Sequence, residues 1–225
     1  MKRKRGSNMT NGNEDLRKNY DKLSKYYDFI SINAESKLQD LALKMLNIQP
    51  DANVLEIGCG TGSALIKIAN YIKKDGSITG IDLSEKMINQ VNKKSRKMKI
   101  ENEIKLYQGD AVKIMQNELK QNIYDLIYIS FVLEIMDNEK IDQLLRIIKK
   151  QIHPDGKIGI ISILQTEDQN IVFRIYKKLN KIIPNIIDCK PIDLFSILGN
   201  HKFMIDEYKI VALYGIPVLI CICHL

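Results

Sequence analysis

The sequence contains few of the residues that usually build a metal centre or a disulfide framework. It has four cysteines and three histidines in 225 residues, with no Cys-x-x-Cys pair and no histidine cluster beside a cysteine. Structural zinc sites and disulfide-rich folds need closely spaced ligands of these kinds. The sequence therefore predicts neither a metal site nor a disulfide framework. Cys221 and Cys223 alternate in a terminal apolar run, and we expect them to behave as small hydrophobic residues on one face of a strand.

Long apolar runs are also missing. No hydrophobic run reaches the roughly 20 residues that a membrane-spanning helix requires. The chain begins MKRKRGSNM, which lacks the apolar core of a secretory signal. These features predict a cytoplasmic protein without a membrane span, and they leave peripheral contact with a membrane open.

Positive charge is concentrated at the amino terminus. The formal net charge is +7, and Lys2, Arg3, Lys4 and Arg5 account for four of those charges. Basic clusters bind nucleic acids or anionic membranes, but no aromatic residue is interleaved with this one to stack on bases. We expect residues 1–14 to form a disordered basic tail, and we expect no nucleic-acid partner.

Beyond the tail, strand and helix patterns alternate along the chain. Residues 15–46 carry apolar residues three and four positions apart, which predicts two helices that form an N-terminal cover. Buried strands are then predicted, with helical segments between them, at 53–58, 77–82, 103–110, 124–130 and 156–164. Two last strands, at 203–214 and 217–225, are joined by a link too short for a crossover. The pattern predicts one Rossmann-like α/β domain over 15–225, whose seven-stranded, mostly parallel, doubly wound sheet ends in an antiparallel C-terminal hairpin.

A glycine-rich turn follows the first predicted strand. The segment Glu56–Gly62 has the sequence EIGCGTG, in which glycines let the backbone approach a ligand closely and aim the next helix at it. Nicotinamide and flavin enzymes carry G-x-G-x-x-G in the same place. Here the third glycine comes one residue earlier, and an acid stands two residues before the first. Both features favour a ligand with an ammonium and a sulfonium over one with a pyrophosphate.

Other polar residues fall where further predicted strands end. Asp82 can accept hydrogen bonds from a ribose diol, although a helix-cap role beside Ser84 is the alternative. Asp110 can accept the amino hydrogens of an adenine, although a strand-end turn is the alternative. Ser130 and Phe131 end the fourth strand, beside the expected position of a methyl group. Because open α/β sheets bind ligands at the carboxyl ends of their strands, these residues predict one elongated ligand with amino acid, sulfonium, ribose and adenine parts.

Four segments resemble, in order and spacing, the motifs of class I S-adenosylmethionine-dependent methyltransferases: VLEIGCGTGSALIKIA, GIDLSEKMI, QGDA and YDLIYISFVLEIMD. NYDKLSKYYDFIS is similar to the lead-in of the ubiquinone/menaquinone-biosynthesis-type methyltransferases. The resemblance runs from about Tyr20 to the C-terminus, and it implies S-adenosylmethionine as cofactor and S-adenosylhomocysteine as product. It also implies a set of cofactor-binding residues: Tyr20, Tyr27, Glu56, Gly58, Cys59, Gly60, Gly62, Asp82, Leu83, Asp110, Ala111, Ser130 and Phe131.

The acceptor is less well defined than the cofactor. Quinone C-methyltransferases of this group carry an Arg-Asn pair after the fourth strand, where this chain has Leu133–Asp137, and this departure argues against quinone C-methylation. We expect a small, partly apolar acceptor that is quinone-, lipid- or amine-like. If the acceptor must lose a proton, the candidate bases are Glu134, Tyr27 and Asp28. For Glu134 the alternative is a solvated residue at a helix start.

Two other functions remain open at the level of the sequence. The chain could be a non-catalytic methyltransferase-like subunit that binds a partner, although the intact glycine turn and acids argue against it. An NAD-dependent dehydrogenase is the third reading, and the short glycine spacing and the lack of a second domain count against it. No Asn/Asp-Pro-Pro-Tyr follows the fourth strand, which argues against methylation of amino groups on nucleic-acid bases. We also expect residues 15–31 to act as a mobile lid over the site.

Overall fold

The computed structural model describes residues 35–73, 75–98, 100, 104–165, 191–213 and 215–225. The predicted basic tail and most of the predicted N-terminal cover lie outside these residues. The roles expected of Tyr20, Tyr27 and Asp28, and of a lid over 15–31, therefore stay predictions.

Helices and strands alternate along the described chain. In order they are α1 (35–46), β1 (Asn53–Ile57), α2 (Ser63–Ala69), β2 (Ser77–Asp82), α3 (Glu85–Lys97), β3 (Ile104–Gln108), α4 (Ala111–Asn117), β4 (Tyr124–Ser130), a short 3₁₀ helix (Leu133–Ile135), α5 (Asn138–Gln151), β5 (Ile152–Ile163), α6 (Leu194–Asn200), β6 (Met204–Leu213) and β7 (Ile216–His224). The bounds predicted for β2 and β4 are confirmed residue for residue.

The predicted start of β5 was wrong. The strand begins at Ile152, directly after α5, and it runs through the His-Pro-Asp-Gly segment that the sequence suggested was a turn. The reason is a bulge. Tyr124 of β4 pairs with Ile152 of β5, but Leu126 pairs with Lys157, so β5 has more residues than β4 between these two pairs. A bulge can hold turn-forming residues inside a strand.

The sheet confirms the predicted fold class. Its seven strands within the described residues lie in the order β3-β2-β1-β4-β5-β7-β6. Neighbours from β3 to β5 are parallel, and β7 pairs antiparallel with both β5 and β6. The chain order reverses direction between the adjacent strands β1 and β4, which is the topological switch point where ligands bind in such sheets.

Apolar helix faces cover the sheet on both sides. Along β1, Leu55 and Ile57 pack with α4, α5 and α6, whereas Val54 packs on the opposite face with α1, α2 and α3. Both cysteines of β7, Cys221 and Cys223, are fully buried on the first of these faces. No helix among the described residues is long and apolar enough to cross a membrane. The helices leave the carboxyl ends of the parallel strands open, and a site can form there.

Candidate functional site

A cavity of about 310 Å³ opens at the carboxyl edge of the parallel strands, at the switch point. Residues that follow β1, β2, β3 and β4 all line it, so separate strand ends do converge as the sequence predicted. The predicted residues on its wall are Gly58, Asp82, Leu83, Asp110, Ala111, Ser130 and Phe131. Residues that the sequence did not indicate also line it, and they are Ile57, Ile81, Gly109, Val132, Ile135, Met136, Asp137 and Lys140.

The glycine turn has the backbone shape that only glycine adopts easily. Gly58, Gly60 and Gly62 have φ angles of 71°, 51° and 77°, in the left-handed region that disfavours a Cβ. At Gly58 a Cβ would also lie 2.3 Å from Cγ2 of Val132, which is far inside van der Waals contact. The turn after β1 therefore passes directly against the segment after β4, and only a bare backbone fits there.

The amides of this turn are already bonded within the protein. The N–H groups of Gly58 and Cys59 both donate to the carbonyl oxygen of Ile81, at 2.8 and 3.0 Å. The next N–H, that of Gly60, donates to Oδ2 of Asp82 at 2.7 Å. A loop that cradles phosphate points such consecutive N–H groups at the anion. Here they are bound to the end of β2, so the turn is not arranged as an anion cradle.

Asp82 makes the contact at the start of a helix that the sequence offered as the alternative to a ribose contact. Its Oδ1 accepts a hydrogen bond from the N–H of Ser84 at 2.8 Å, and Ser84 is the N-cap of α3, with its hydroxyl accepting from Met87. The carboxylate thus supports the start of the helix. Each carboxylate oxygen can accept more than one hydrogen bond, so a ribose contact is compatible with this geometry and stays a prediction.

Asp110 lies at the N-terminus of α4 and pairs with a lysine. Its Oδ1 caps the helix by accepting from the N–H of Lys113 at 3.3 Å, and its Oδ2 lies 3.1 Å from Nζ of Lys140. Burial raises the pKa of Asp110, but Lys140 and the N–H of Lys113 outweigh it, so the pKa lies below the usual value. The residue is therefore ionised at neutral pH and can accept hydrogen bonds.

The end of β4 is locally strained and holds a polar group facing the cavity region. Phe131 has a φ of 53°, which is unusual for a bulky residue and is typical of functional sites. Its N–H donates to the carbonyl oxygen of Ile161 at 2.9 Å. The hydroxyl of Ser130 is buried and has no hydrogen-bond partner within the described chain. A ligand atom in the cavity can supply that partner.

Four predicted cofactor residues do not line the cavity. The side chains of Glu56 and Cys59 are buried, at 3% and 4% exposure, and Gly60 and Gly62 also lie off the wall. Burial raises the pKa of the Cys59 thiol, and the charges of Glu56 and Asp82 raise it further. Within this structure these four residues shape and support the turn, and their contact with a cofactor stays a prediction.

The solvated alternative for Glu134 was wrong. Its side chain is 2% exposed, and Oε1 accepts a hydrogen bond from the N–H of Ile163 at 2.6 Å. Burial raises the pKa of Glu134, and hydrogen bonds from Ile163 and Ser162 partly offset that effect. Glu134 does not line the first cavity. It lines a neighbouring one of about 730 Å³, which shares Met136 and Asp137 with the first.

The family and the relatives of the chain agree with this architecture. A family model described as a methyltransferase domain matches residues 48–193. A demethylmenaquinone methyltransferase of Lactobacillus johnsonii is 26% identical over 87% of this chain and 75% of its own length. One from Listeria welshimeri is 29% identical over 68% of this chain. The chain spans just under two thirds of that protein, at 64%.

Solved structures show the same fold at low sequence identity. Magnesium protoporphyrin IX methyltransferase from Synechocystis PCC 6803, with bound SAH, superimposes with a TM-score of 0.66 at 17% identity, over 86% of this chain and 84% of that one. Mycolic acid cyclopropane synthase, in complex with SAH and CTAB, gives a TM-score of 0.65 at 14% identity, over 82% of each chain. The matched family model, together with the sheet order and the site, shows that this chain belongs to the methyltransferase-domain family and is a class I S-adenosylmethionine-dependent methyltransferase, similar to the menaquinone type.

Proposed function

We propose that the cavity at the switch point binds S-adenosylmethionine, and that the chain transfers its methyl group to a small, partly apolar acceptor. One combined observation carries the proposal. The backbone N–H groups of the glycine turn are already hydrogen-bonded within the protein, and carboxylates line the cavity. Asp82, Asp110 and Asp137 line the cavity. Lys140 is the one basic side chain on its described wall, and it is paired with Asp110. A site of this charge favours a sulfonium and an ammonium and disfavours a pyrophosphate.

The predicted contacts follow the length of the cavity. Asp82 accepts hydrogen bonds from the ribose hydroxyls, Asp110 accepts from the adenine amino group, and the hydroxyl of Ser130 bonds to the amino acid part. Leu83 and Ile135 line the same cavity and expose 72% and 61% of their surface. Contact of the adenine ring with these apolar side chains would remove them from water, which stabilises binding.

The chain contributes positioning and exclusion of water to the reaction. When bound, the cofactor would supply a methyl group activated by its sulfonium, and Asp82, Asp110 and Ser130 are the residues that would hold it. The strand ends hold the cofactor in one orientation, which favours an in-line approach of the acceptor. The wall after β4 separates the two cavities and brings Met136 and Asp137 to both of them.

The neighbouring cavity is our candidate for the acceptor space. Its wall is mixed, with apolar Ile141, Ile192 and Ile197 beside Asp193 and His201. That composition fits a small molecule with apolar and polar parts. Because Glu134 lines this cavity and burial raises its pKa, it stays our candidate base, in keeping with the raised pKa of many catalytic carboxyls. The demethylmenaquinone methyltransferases among the relatives favour a quinone-like compound as the first acceptor to test, and because the Arg-Asn pair is missing we expect its methylation at an atom other than a ring carbon.

Two measurements test the proposal. Titration calorimetry should show that S-adenosylhomocysteine binds and that NAD does not. Incubation of the protein with methyl-labelled S-adenosylmethionine and a cell extract should then place the label in small organic molecules, as detected by mass spectrometry. Tight binding of NAD without a response to S-adenosylhomocysteine would contradict the cofactor site. Label found in RNA or DNA instead of small molecules would contradict the acceptor class.

A further inference from the structure

The carboxylate of Asp82 bridges two backbone segments before any cofactor is present. Oδ2 accepts from the N–H of Gly60 at 2.7 Å, and Oδ1 accepts from the N–H of Ser84 at 2.8 Å. Gly60 belongs to the turn after β1, whereas Ser84 starts the helix after β2. One side chain therefore joins the two loops that border the ribose end of the proposed site.

We propose that Asp82 is a positioning residue for the glycine turn, in addition to its expected contact with the ribose. By holding the N–H of Gly60, it fixes the turn in its binding shape before the cofactor arrives. This inference rests on the proposed function, because the turn is assumed to border the bound cofactor.

The turn needs such a restraint because of its composition. Three of its residues, Gly58, Gly60 and Gly62, have left-handed φ angles, and glycine has more backbone freedom to lose on ordering than any other residue. A hydrogen bond to an ionised carboxylate is stronger than one between neutral groups. No atom lies within 4 Å of a Cβ built on Gly60, so the residue faces open space on that side, and the bond to Asp82 restrains its backbone.

Asparagine at position 82 should not replace the carboxylate. Its single oxygen can accept from Gly60 or from Ser84, and its NH₂ group then faces the other N–H, donor against donor. Asp82→Asn keeps the size of the side chain but breaks the bridge.

A pair of ligands separates the positioning role from the ribose contact. The first is S-adenosylhomocysteine, and the second is its analogue without the 2′ and 3′ hydroxyls. If Asp82 contacts only the ribose, Asp82→Asn should leave the affinity for the second ligand unchanged. If Asp82 also positions the turn, Asp82→Asn should weaken binding of the second ligand by about tenfold, the loss expected for one charge-assisted hydrogen bond.

Asp125→Ala is the control for a loss of stability, because alanine leaves the N–H of Asn53 without its acceptor, whereas asparagine would keep one oxygen for that single bond. Oδ2 of Asp125 accepts from the N–H of Asn53 at 2.8 Å, which is the same kind of bond at the opposite, amino end of β1. The control should lower the unfolding midpoint as Asp82→Asn does, and it should leave both affinities within twofold of the wild type. A general loss of stability would change both variants alike, so only positioning gives a binding defect confined to Asp82→Asn.

The wild-type protein gives a second measurement that requires no variant to fold. In the absence of ligand, the amide of Gly60 should exchange its hydrogen more slowly than that of Thr61, which donates no hydrogen bond within the described chain. Equal exchange of the two amides, or wild-type affinity of Asp82→Asn for the hydroxyl-free analogue, would overturn the positioning role. Failure of the wild-type protein to bind S-adenosylhomocysteine would instead overturn the proposed function.

Discussion

Replacement of Gly58 by alanine gives a direct test of how closely the turn after β1 packs against the segment after β4. A Cβ at this position would meet Cγ2 of Val132 at 2.3 Å, and the other Val132 carbons at 3.4 Å. Carbon atoms normally stay at about 3.5–4.0 Å, so the overlap exceeds an ångström. Val132 lines the cavity and directly precedes the short 3₁₀ helix, so its displacement should reach the site.

The expected loss of stability has two parts. The left-handed backbone of residue 58 costs alanine roughly 1–2 kcal/mol relative to glycine. Relief of the overlap by movement of Val132 costs roughly 1–3 kcal/mol, as in other overpacked sites. Gly58→Ala should therefore lower the free energy of unfolding by about 2–5 kcal/mol. The affinity for S-adenosylhomocysteine should fall as well.

Urea denaturation of four proteins separates these parts: wild type, Gly58→Ala, Val132→Ala and the double variant. Val132→Ala removes both methyl groups, including Cγ2 at 2.3 Å, and leaves Cβ at 3.4 Å. The double variant should not suffer the loss of stability caused by the overlap with Val132, but it should keep the loss caused by the left-handed backbone. The interaction energy between the two substitutions should therefore be about 1–3 kcal/mol. Gly199→Ala in α6 is the control, because no atom lies within 4 Å of its Cβ, and it should stabilise slightly. Additive losses in the cycle, or a stable Gly58→Ala, would refute the reasoning.

Four further variants, at Glu134, Lys140 and Leu83, test single contacts. Glu134→Gln should reduce the loss of stability that the wild type shows as the pH rises, because the pKa of Glu134 is raised and the stability contributed by its protonated form is lost as the pH rises through that pKa. Glu134→Ala should cost about 1–3 kcal/mol at low pH, because the N–H of Ile163 then lacks its acceptor. This cost should become smaller as the pH rises. Lys140→Met should remove a small stabilisation by the Asp110–Lys140 ion pair. Because the pKa of Asp110 is lowered, this stabilisation is present at neutral pH and absent in acid. Identical urea midpoints of the wild type and Lys140→Met at pH 7 would contradict the ion pair. Leu83→Ala should weaken S-adenosylhomocysteine binding by about 1–2 kcal/mol, because apolar contact with the ligand is lost. Met98→Ala is the control and should leave the affinity unchanged. The side chain of Met98 is 57% exposed and does not line the cavity.

The fold could be predicted because the same pattern, an apolar strand followed by a helical segment, is repeated along the chain. Buried strands such as β2 and β4 are apolar runs bounded by polar residues, and the bounds of both were predicted to the residue. The start of β5 could not be predicted, since Pro154-Asp155-Gly156 has the composition of a turn. Only the pairing of β5 with β4 shows that these residues form a bulge. Whether such residues form a turn or a strand depends more on pairing with a neighbouring strand than on their local composition.

Residues of the site that directly follow a strand could be predicted, and those brought in by helix packing could not. Asp82, Asp110 and Ser130 each stand at a strand end, where the topology alone places them at one edge. Lys140 is in the first turn of α5, and it meets Asp110 because α4 and α5 pack side by side on one face of the sheet. A solvated lysine on an amphipathic helix has no feature in the sequence that distinguishes it from its neighbours.

For each of two acidic residues, the sequence offered a ligand contact and a local structural role as alternatives. The two roles do not exclude each other, because a carboxylate can accept several hydrogen bonds. Asp82 supports the start of α3 and binds the glycine turn, and Asp110 caps α4 while it pairs with Lys140. Two oxygens with about four acceptor positions can meet these backbone bonds and still accept from a ligand. Helix capping also fixes where the oxygens point, and the N–H of Lys113 helps to lower the pKa of Asp110. The structural role of these acids is thus a physical condition for the binding role that we propose for them, because a carboxylate that was free to rotate would lose more entropy on binding.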